Sequence, residues 1–184
     1  MIRSILDVVV FRSCDWKETA AAWSYAINND KHPTVMVLSR QKLKNIENTG
    51  RRALKGAYIL KDSRNGNPEL IIIATGSEVG IALEAADILE KEGRKIRVVS
   101  MPSMELFEMQ SEEYKNKILP DSIRKRISVE ALSDFGWYKY IGLDGKSIGM
   151  KSFRISAPGK EIFKTFDITT ERIVKESNNL LNKE

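Results

Sequence analysis

Cys14 and His32 are the only cysteine and the only histidine of the chain, and by type they are the side chains best suited to act as nucleophile or base near neutral pH. A thiol becomes a nucleophile when an imidazole or the amino end of a helix lowers its pKa. Cys14 stands in "FRSCDW", just ahead of a helix start, and His32 in "NNDKHPTV", a turn between helix and strand where a surface loop residue is expected. No spacing brings the two together, so Cys14 is a weak candidate nucleophile. A single cysteine and a single histidine also exclude a disulfide framework and a Cys/His zinc site, and a triad hydrolase would have to use His32 or no histidine.

Two further candidates concern anions. "LIIIATGSEVGIALEAADILEKEG", from Leu70, runs an apolar strand through a glycine turn into a helix. The free amides and positive dipole end of such a helix suit a phosphate. The turn has one glycine where phosphate fingerprints use several, however, and Glu78 puts a carboxylate where the anion would sit. A capped helix start, with Ser77 or Thr75 as cap and Glu78 complementing the dipole, is the favoured reading. Arg40 in "VLSRQ" follows directly on a strand, and in open α/β folds ligands bind beyond the carboxyl ends of strands. An arginine there can grip a phosphate through two parallel hydrogen bonds. Residue type and spacing alone leave a surface ion pair slightly ahead for Arg40.

The elements that must position these residues follow from periodicity. Residues 8–12, "VVVFR", read as a short buried strand. Asp15 with Glu18 forms a capping box that opens an Ala-rich helix, on which Ala20, Trp23 and Ile27 share one face. "KHPTVMVLSR" supplies the next strand, so residues 8–39 form one strand, helix, strand unit of a parallel sheet. A single unit cannot cover both faces of its strands, and the first 40 residues therefore read as the edge of a larger domain. "QKLKNIENTGRRALKG" has the composition of a linker, with a boundary near Gly56.

Beyond it, "AYILKDSRNGNPELIIIATG" reads as two strands joined by a turn around Asn65 and Gly66. Helix 78–92 carries Val79, Ala82, Leu83, Ala86 and Leu89 as a stripe. A strand "KIRVVSM", a short helix "SEEYKNKIL" stopped by Pro120, and a strand "RISVEAL" follow. "DFGWYKYIG" turns helically, and its Trp137, Tyr138 and Tyr140 are either an interface anchor or aromatic packing under a loop. "SIGMKSF" extends, and "TTERIVKESNNLL" closes the chain with Ile173, Val174, Ser177, Leu180 and Leu181 on one side. The pattern predicts an α/β protein: a three-layer α/β/α domain with a mostly parallel, mixed sheet, preceded by a partial βαβ unit.

Composition bounds the partners. The net charge of +5 comes from 30 basic residues spread among 25 acidic ones, with no basic, aromatic-interleaved stripe, which argues against nucleic acid. Acidic pairs such as "SEEY" and "EKE" fall on polar helix faces as ordinary surface charge. No apolar run approaches the roughly 18 residues of a membrane helix. "MIRSILDVVVF" is broken by Asp7 and lacks a small-residue cleavage site, so it is not read as a signal peptide and a cytoplasmic location is expected.

The strings "PTVMVLSRQ", "GAYIL", "PELIIIATGSEV", "ALEAADILEKEG", "RVVSMPSMELFEMQSEEYKNKILP" and "WYKYIGLDGKSIGM" followed by "SAP" closely resemble the C-terminal part of bacterial transketolases. The resemblance runs in order over nearly the whole chain. It implies that residues 1–42 are the end of a pyrimidine-binding domain, 43–55 a linker and 56–184 the transketolase C-terminal domain. It further implies transfer of a two-carbon ketol unit between sugar phosphates by a complete enzyme, a dimer in the cytoplasm that uses thiamine diphosphate and a divalent metal such as magnesium. The cofactor, metal and catalytic residues of that family match no position here, and His32 matches none of its active-site histidines. Arg40 of "LSRQ" does match the arginine that holds the substrate's phosphate, which reverses the weighing above. Ser13, Arg154 and Ile155 depart from the family pattern at local turns. The expectation is a fragment or subunit, inactive alone, that works with an N-terminal transketolase portion; the alternative is a non-catalytic structural, dimerisation or effector-binding module.

Overall fold

In the computed structural model, which describes residues 2–63, 66–152 and 157–182, a 3-10 turn at Ile2–Ser4 leads into β1 (Val9–Phe11), α1 (Trp16–Asn28) and β2 (Thr34–Met36). β1 and β2 pair in parallel, Val10 opposite Val35, as a two-stranded sheet. A second 3-10 turn, Arg51–Lys55, precedes β3 (Tyr58–Lys61), β4 (Leu70–Ala74), α2 (Glu78–Lys91) and β5 (Ile96–Ser100). Then come α3 (Met104–Glu108), α4 (Glu112–Ile118), β6 (Arg126–Glu130), α5 (Tyr138–Ile141), β7 (Lys146–Gly149), α6 (Gly159–Thr165) and α7 (Thr170–Leu181).

The second sheet has the order β3-β5-β4-β6-β7, with β3 antiparallel at one edge and the rest parallel. β4 lies at its centre because "LIIIA" is apolar on both faces, and all five residues are buried. Leu70, Ile72 and Ala74 pack with Val79, Ala82 and Leu89 of α2 and with Ile173 and Leu180 of α7. Ile71 and Ile73 turn the other way, onto Phe107 of α3, Ile118 of α4, and Trp137 and Tyr140. Helices thus cover both faces, giving the expected three-layer α/β/α domain.

Two details differ from the sequence reading. β3 and β4 are not hydrogen-bonded neighbours, because β5 lies between them; the alternating burial of β3 suits an edge and the uniform burial of β4 a centre. Gly66 does take a positive φ of 86°, whereas Asn65 lies outside the described residues. The short helices α3 and α6 were not anticipated; α3 is opened by Ser103, whose hydroxyl accepts from the Leu106 amide.

Residues 43–55, read as a linker, pack against the first unit. The Ile46 amide and the Thr49 hydroxyl donate to Asp15 Oδ2, and Ala53 is fully buried. Gly56 ends this segment at φ 80°, where a Cβ would lie 2.0 Å from the Phe107 amide nitrogen.

Candidate functional site

The capping box is the first place where side chains converge. Asp15 Oδ1 accepts from the Glu18 amide at 3.0 Å, and Glu18 reaches back to the Cys14 amide at 2.7 Å, one residue ahead of the usual partner. Its other oxygen accepts from the hydroxyls of Tyr58 and Ser100, both at 2.7 Å. A residue expected to close a helix turn therefore ties α1 to β3 and β5. Burial pushes the Glu18 carboxyl above the ordinary range, and the hydrogen bonds from Cys14, Ser100 and Tyr58 restrain the shift without cancelling it. Cys14 lies beside this cluster. Its thiol is pushed up, by burial first and then by the charges of Glu18 and Asp15, the reverse of the activation that its place at a helix start suggested. His32 follows the far end of α1, about 20 Å away by helix rise, and is half-buried rather than exposed. The two are not brought together.

The second convergence lies at the carboxyl ends of β4 and β6. From β4 the chain crosses through α2 to β5 on one side, while β6 and β7 extend the sheet on the other; the crevice between them is where open α/β sheets take ligands. Here it is filled by Arg12, the residue after β1. Its Nη2 lies 3.2 Å from Glu78 Oε1 and its Nη1 2.8 Å from Glu130 Oε1. Arg3 and the Trp137 indole N–H donate to Glu130 Oε2 at 2.6 and 2.7 Å. The backbone joins in: the Arg12 amide donates to the Pro102 carbonyl, and the Gly76 amide to the Arg12 carbonyl. Burial alone would raise the Glu130 carboxyl, but Arg3 and Arg12 outweigh it and hold it below the usual carboxylate range.

The turn "ATGSEV" is thus neither a phosphate cradle nor a side-chain-capped start. Thr75 Oγ1 donates to the Arg12 carbonyl and Ser77 Oγ to Glu78, so neither hydroxyl caps α2, and the Glu78 carboxylate is committed to Arg12 and the Ala131 amide. Sequence reasoning missed Arg12, Glu130, Tyr58 and Ser100. A charged residue closing each of two apolar strands, "VVVFR" and "RISVE", was the available signal.

Arg40 stands four residues beyond β2. The Val37 amide still bonds to the Phe11 carbonyl, after which Leu38, Ser39, Arg40 and Gln41 are exposed, with the Gln41 amide donating to Ser39 Oγ. Arg40 makes no ion pair among the described residues. Beside it, Ser13, Asp15, Trp16, Ser39, Gln41 and Asn45 line a cleft of about 250 Å³. The Gln41 side chain packs on Gly159 of α6 so closely that a Cβ there would fall 1.2 Å from Nε2, so the second domain bears on the arginine's loop. The aromatic cluster resolves into packing: Trp137 and Tyr140 are buried edge-to-face, and Tyr138 is exposed. Arg154 and Ile155 lie outside the described residues.

Thiamine diphosphate and a divalent metal, which the family resemblance implies, do not fit this part of the chain. Among the described residues no three His, Cys, Asp or Glu side chains come together to hold a metal ion, and the amino end of α2 faces its own buried carboxylate. No described helix is long and apolar enough to cross a membrane.

The second unit is thus an α/β/α domain whose crevice at the strand ends holds the guanidinium of the preceding βαβ unit. The sequence profile of the Transketolase-like TK C-terminal domain matches residues 56–169. The chain belongs to the transketolase family and corresponds to its C-terminal portion. It is 44% identical over 186 residues to the transketolase of Bacillus subtilis, a match that covers 99% of this chain and 28% of that protein. A solved transketolase from Leishmania mexicana superposes with a TM-score of 0.91 at 37% identity, covering 98% of this chain and 26% of that one. A split-gene transketolase, described as an inactive β4 tetramer, superposes at 0.79 with 19% identity, over 98% of this chain and 60% of that one, and shows the shared fold.

Proposed function

We propose that this chain serves as the C-terminal fragment or subunit of a transketolase, with Arg40 holding the phosphate of the sugar substrate. Residues 1–42 then complete a pyrimidine-binding domain, 43–55 join it, and 56–184 form the C-terminal domain. The observation that carries the reading is an exposed arginine with no ion pair among the described residues, just past the carboxyl end of a parallel strand, in a chain of this family. The partner is the N-terminal transketolase portion, on the same or a separate polypeptide, and the assembly is a dimer in the cytoplasm. In the complete assembly, thiamine diphosphate with its metal would be held outside this chain and would supply the electron sink for cleaving the ketose. The residues of this chain act by binding: Arg40 anchors the phosphate and so fixes where the carbonyl end of the sugar lies. The Val37 amide on the Phe11 carbonyl fixes the chain before Arg40, and Gln41 against Gly159, with Asp15 through Ile46 and Thr49, fixes the chain after it.

The test is a chimera in which this chain replaces the matching segment of the Bacillus subtilis enzyme. Ketol transfer is expected from the chimera and none from the 184 residues alone. Arg40→Ala is expected to raise KM for phosphorylated sugars by about 10–100-fold, the worth of one charge-assisted anion contact, and to leave unphosphorylated acceptors nearly unchanged. Equal effects on both substrate types would remove the role given to Arg40.

A further inference from the structure

The run "LEKEGRKIR", which ends α2 and opens β5, gathers Lys91, Arg94 and Lys95 at one helix end. That end does not use them. Gly93 turns the chain at a φ of 84°, and the Glu92, Gly93 and Arg94 amides donate to the carbonyls of Ile88, Leu89 and Glu90, so backbone alone caps the last turn. The helix dipole accounts for Lys91 at most, since its pull fades within the last turn and Arg94 and Lys95 lie beyond Gly93. None of the three is in an ion pair among the described residues. Arg94 Nη2 donates to Asn182 Oδ1 at 2.8 Å, and Lys91 and Lys95 are exposed.

These cations wall a groove of about 430 Å³, completed by Ser63, just past β3, and by Asp87 and Glu90 of α2. Lys95 Nζ reaches toward the loop between β3 and β4, 4.0 Å from where a Cβ on Gly66 would stand. Both carboxylates are already committed, because Lys61 Nζ pairs with Asp87 Oδ1 and with Glu90 Oε2. Four cations against two carboxylates leave an excess of two positive charges, which complements a phosphate monoester carrying about −2 at neutral pH. The volume is that of a small-molecule site. It lies where β5 begins, at the opposite end of the sheet from Arg12, Glu78 and Glu130.

We propose that this groove is a second anion site, separate from the one given to Arg40, and that it holds the phosphate group of a small metabolite. Lys91, Arg94 and Lys95 donate to the phosphate oxygens, and Ser63 lines the facing wall. Nucleic acids and anionic membranes are met by extended basic surfaces. Here the free cations are confined to one short loop, and the exposed carboxylate of Asp87 stands beside them, so a small anion is the occupant that fits. What the groove reads is the phosphate itself, free or as an ester on a small body. The site stands whether or not the catalytic reading of Arg40 does.

The test titrates the isotope-labelled chain with inorganic phosphate and with glycerol phosphate at constant ionic strength, and follows its amide resonances. The Ser63, Gly93, Arg94 and Lys95 amides should move along one saturating curve, with a Kd of about 1 mM or tighter, the worth of two or three charge-assisted hydrogen bonds. Lys91→Glu with Lys95→Glu should weaken binding by about tenfold or more. Both residues are exposed, so the melting of that variant should match the parent. Lys91→Arg with Lys95→Arg should keep the binding, and Arg40→Ala should leave it unchanged. Tighter binding of glycerol phosphate than of inorganic phosphate would assign an ester to the groove, and equal binding the phosphate group alone. No saturating shift at these amides, shifts reproduced by sodium chloride at equal ionic strength, or binding that survives the double glutamate variant would each overturn the proposal.

Discussion

Glu18 is a buried carboxylate with no cation against it among the described residues, and its titration is the clearest consequence at the scale of single residues. The groups facing it are the Cys14 amide and thiol, the hydroxyls of Tyr58 and Ser100, and Asp15 one turn away; Cys14 and Tyr58 are both pushed upward, so neither ionises near neutrality. A carboxyl whose pKa is higher folded than unfolded contributes its full stability below the unfolded value of about 4.3, and the contribution is lost as pH rises through the folded pKa. Glu18→Gln removes that titration; its carbonyl oxygen can still accept from the Cys14 N–H, but its NH₂ then faces the Tyr58 and Ser100 hydroxyls, which must turn from donating to accepting. The variant should therefore be least stable relative to the parent near pH 4–5, and the gap should narrow toward pH 8. Thermal melting across that range checks it, and a gap that widens with pH would reverse the assignment. Comparing the two proteins at each pH also cancels Glu130, whose depressed pKa gives a contribution present above about 4.3 and lost on acidification. The Asp15 and Glu18 spacing was readable from the sequence as a capping box. The hydroxyls that give Glu18 its second role lie 40 and 82 residues away, where no local pattern reaches.

Among the elements, those with a strong period were legible: β4, α2, β5, β6 and α7 lie where their apolar repeats put them. The order of strands was not, because turn residues suggest adjacency but cannot show that β5 inserts between β3 and β4. The face of α1 shows the same limit in another form. Ala20, Trp23 and Ile27 do share a side, but the helix buries the opposite one, since Ala21 and Ala22 permit a closer approach to β1 than tryptophan would. Gly56 is the position on which the packing of α3 rests. A side chain there meets the backbone of Ser103 and Phe107, at 2.5 and 2.0 Å, and also a φ of 80°. Gly93 has nearly the same φ, 84°, with nothing within 4 Å. Gly93→Ala should then cost about 1–2 kcal/mol, the conformational penalty alone, and Gly56→Ala clearly more, since a backbone contact cannot rotate away. Urea denaturation of the two variants separates the terms; equal losses would show that the close approach to α3 carries no weight.

Across the whole molecule, the informative feature is the place where a ligand would ordinarily bind and an arginine lies instead. Arg12 brings a cation from the first unit to two carboxylates of the second, Glu78 at the start of α2 and Glu130 at the end of β6, and both are almost wholly buried. The sequence displayed the family and the Arg40 motif but not this joint, because its members are single charges closing strands that each read as ordinary. Removing one partner of a buried pair leaves the other charge desolvated, so Arg12→Ala should cost about 3–5 kcal/mol. The loss should also be directional. With the joint open, the first unit keeps the Arg3–Glu130 pair, the Glu18 hydrogen bonds, the backbone bonds of Val10 and Arg12 and the packing of residues 43–55, but loses its buried ionic tie to α2, so limited proteolysis should cut sooner within 37–50 while the sheet of the second unit resists. Arg12→Met with Glu78→Gln removes the stranded charge at α2, leaves Arg3 to serve Glu130, and should recover part of both the stability and the protease resistance. Recovery would identify the unpaired carboxylate, rather than the lost side-chain volume, as what separates the two units; a double variant as weak as Arg12→Ala would assign the joint to packing.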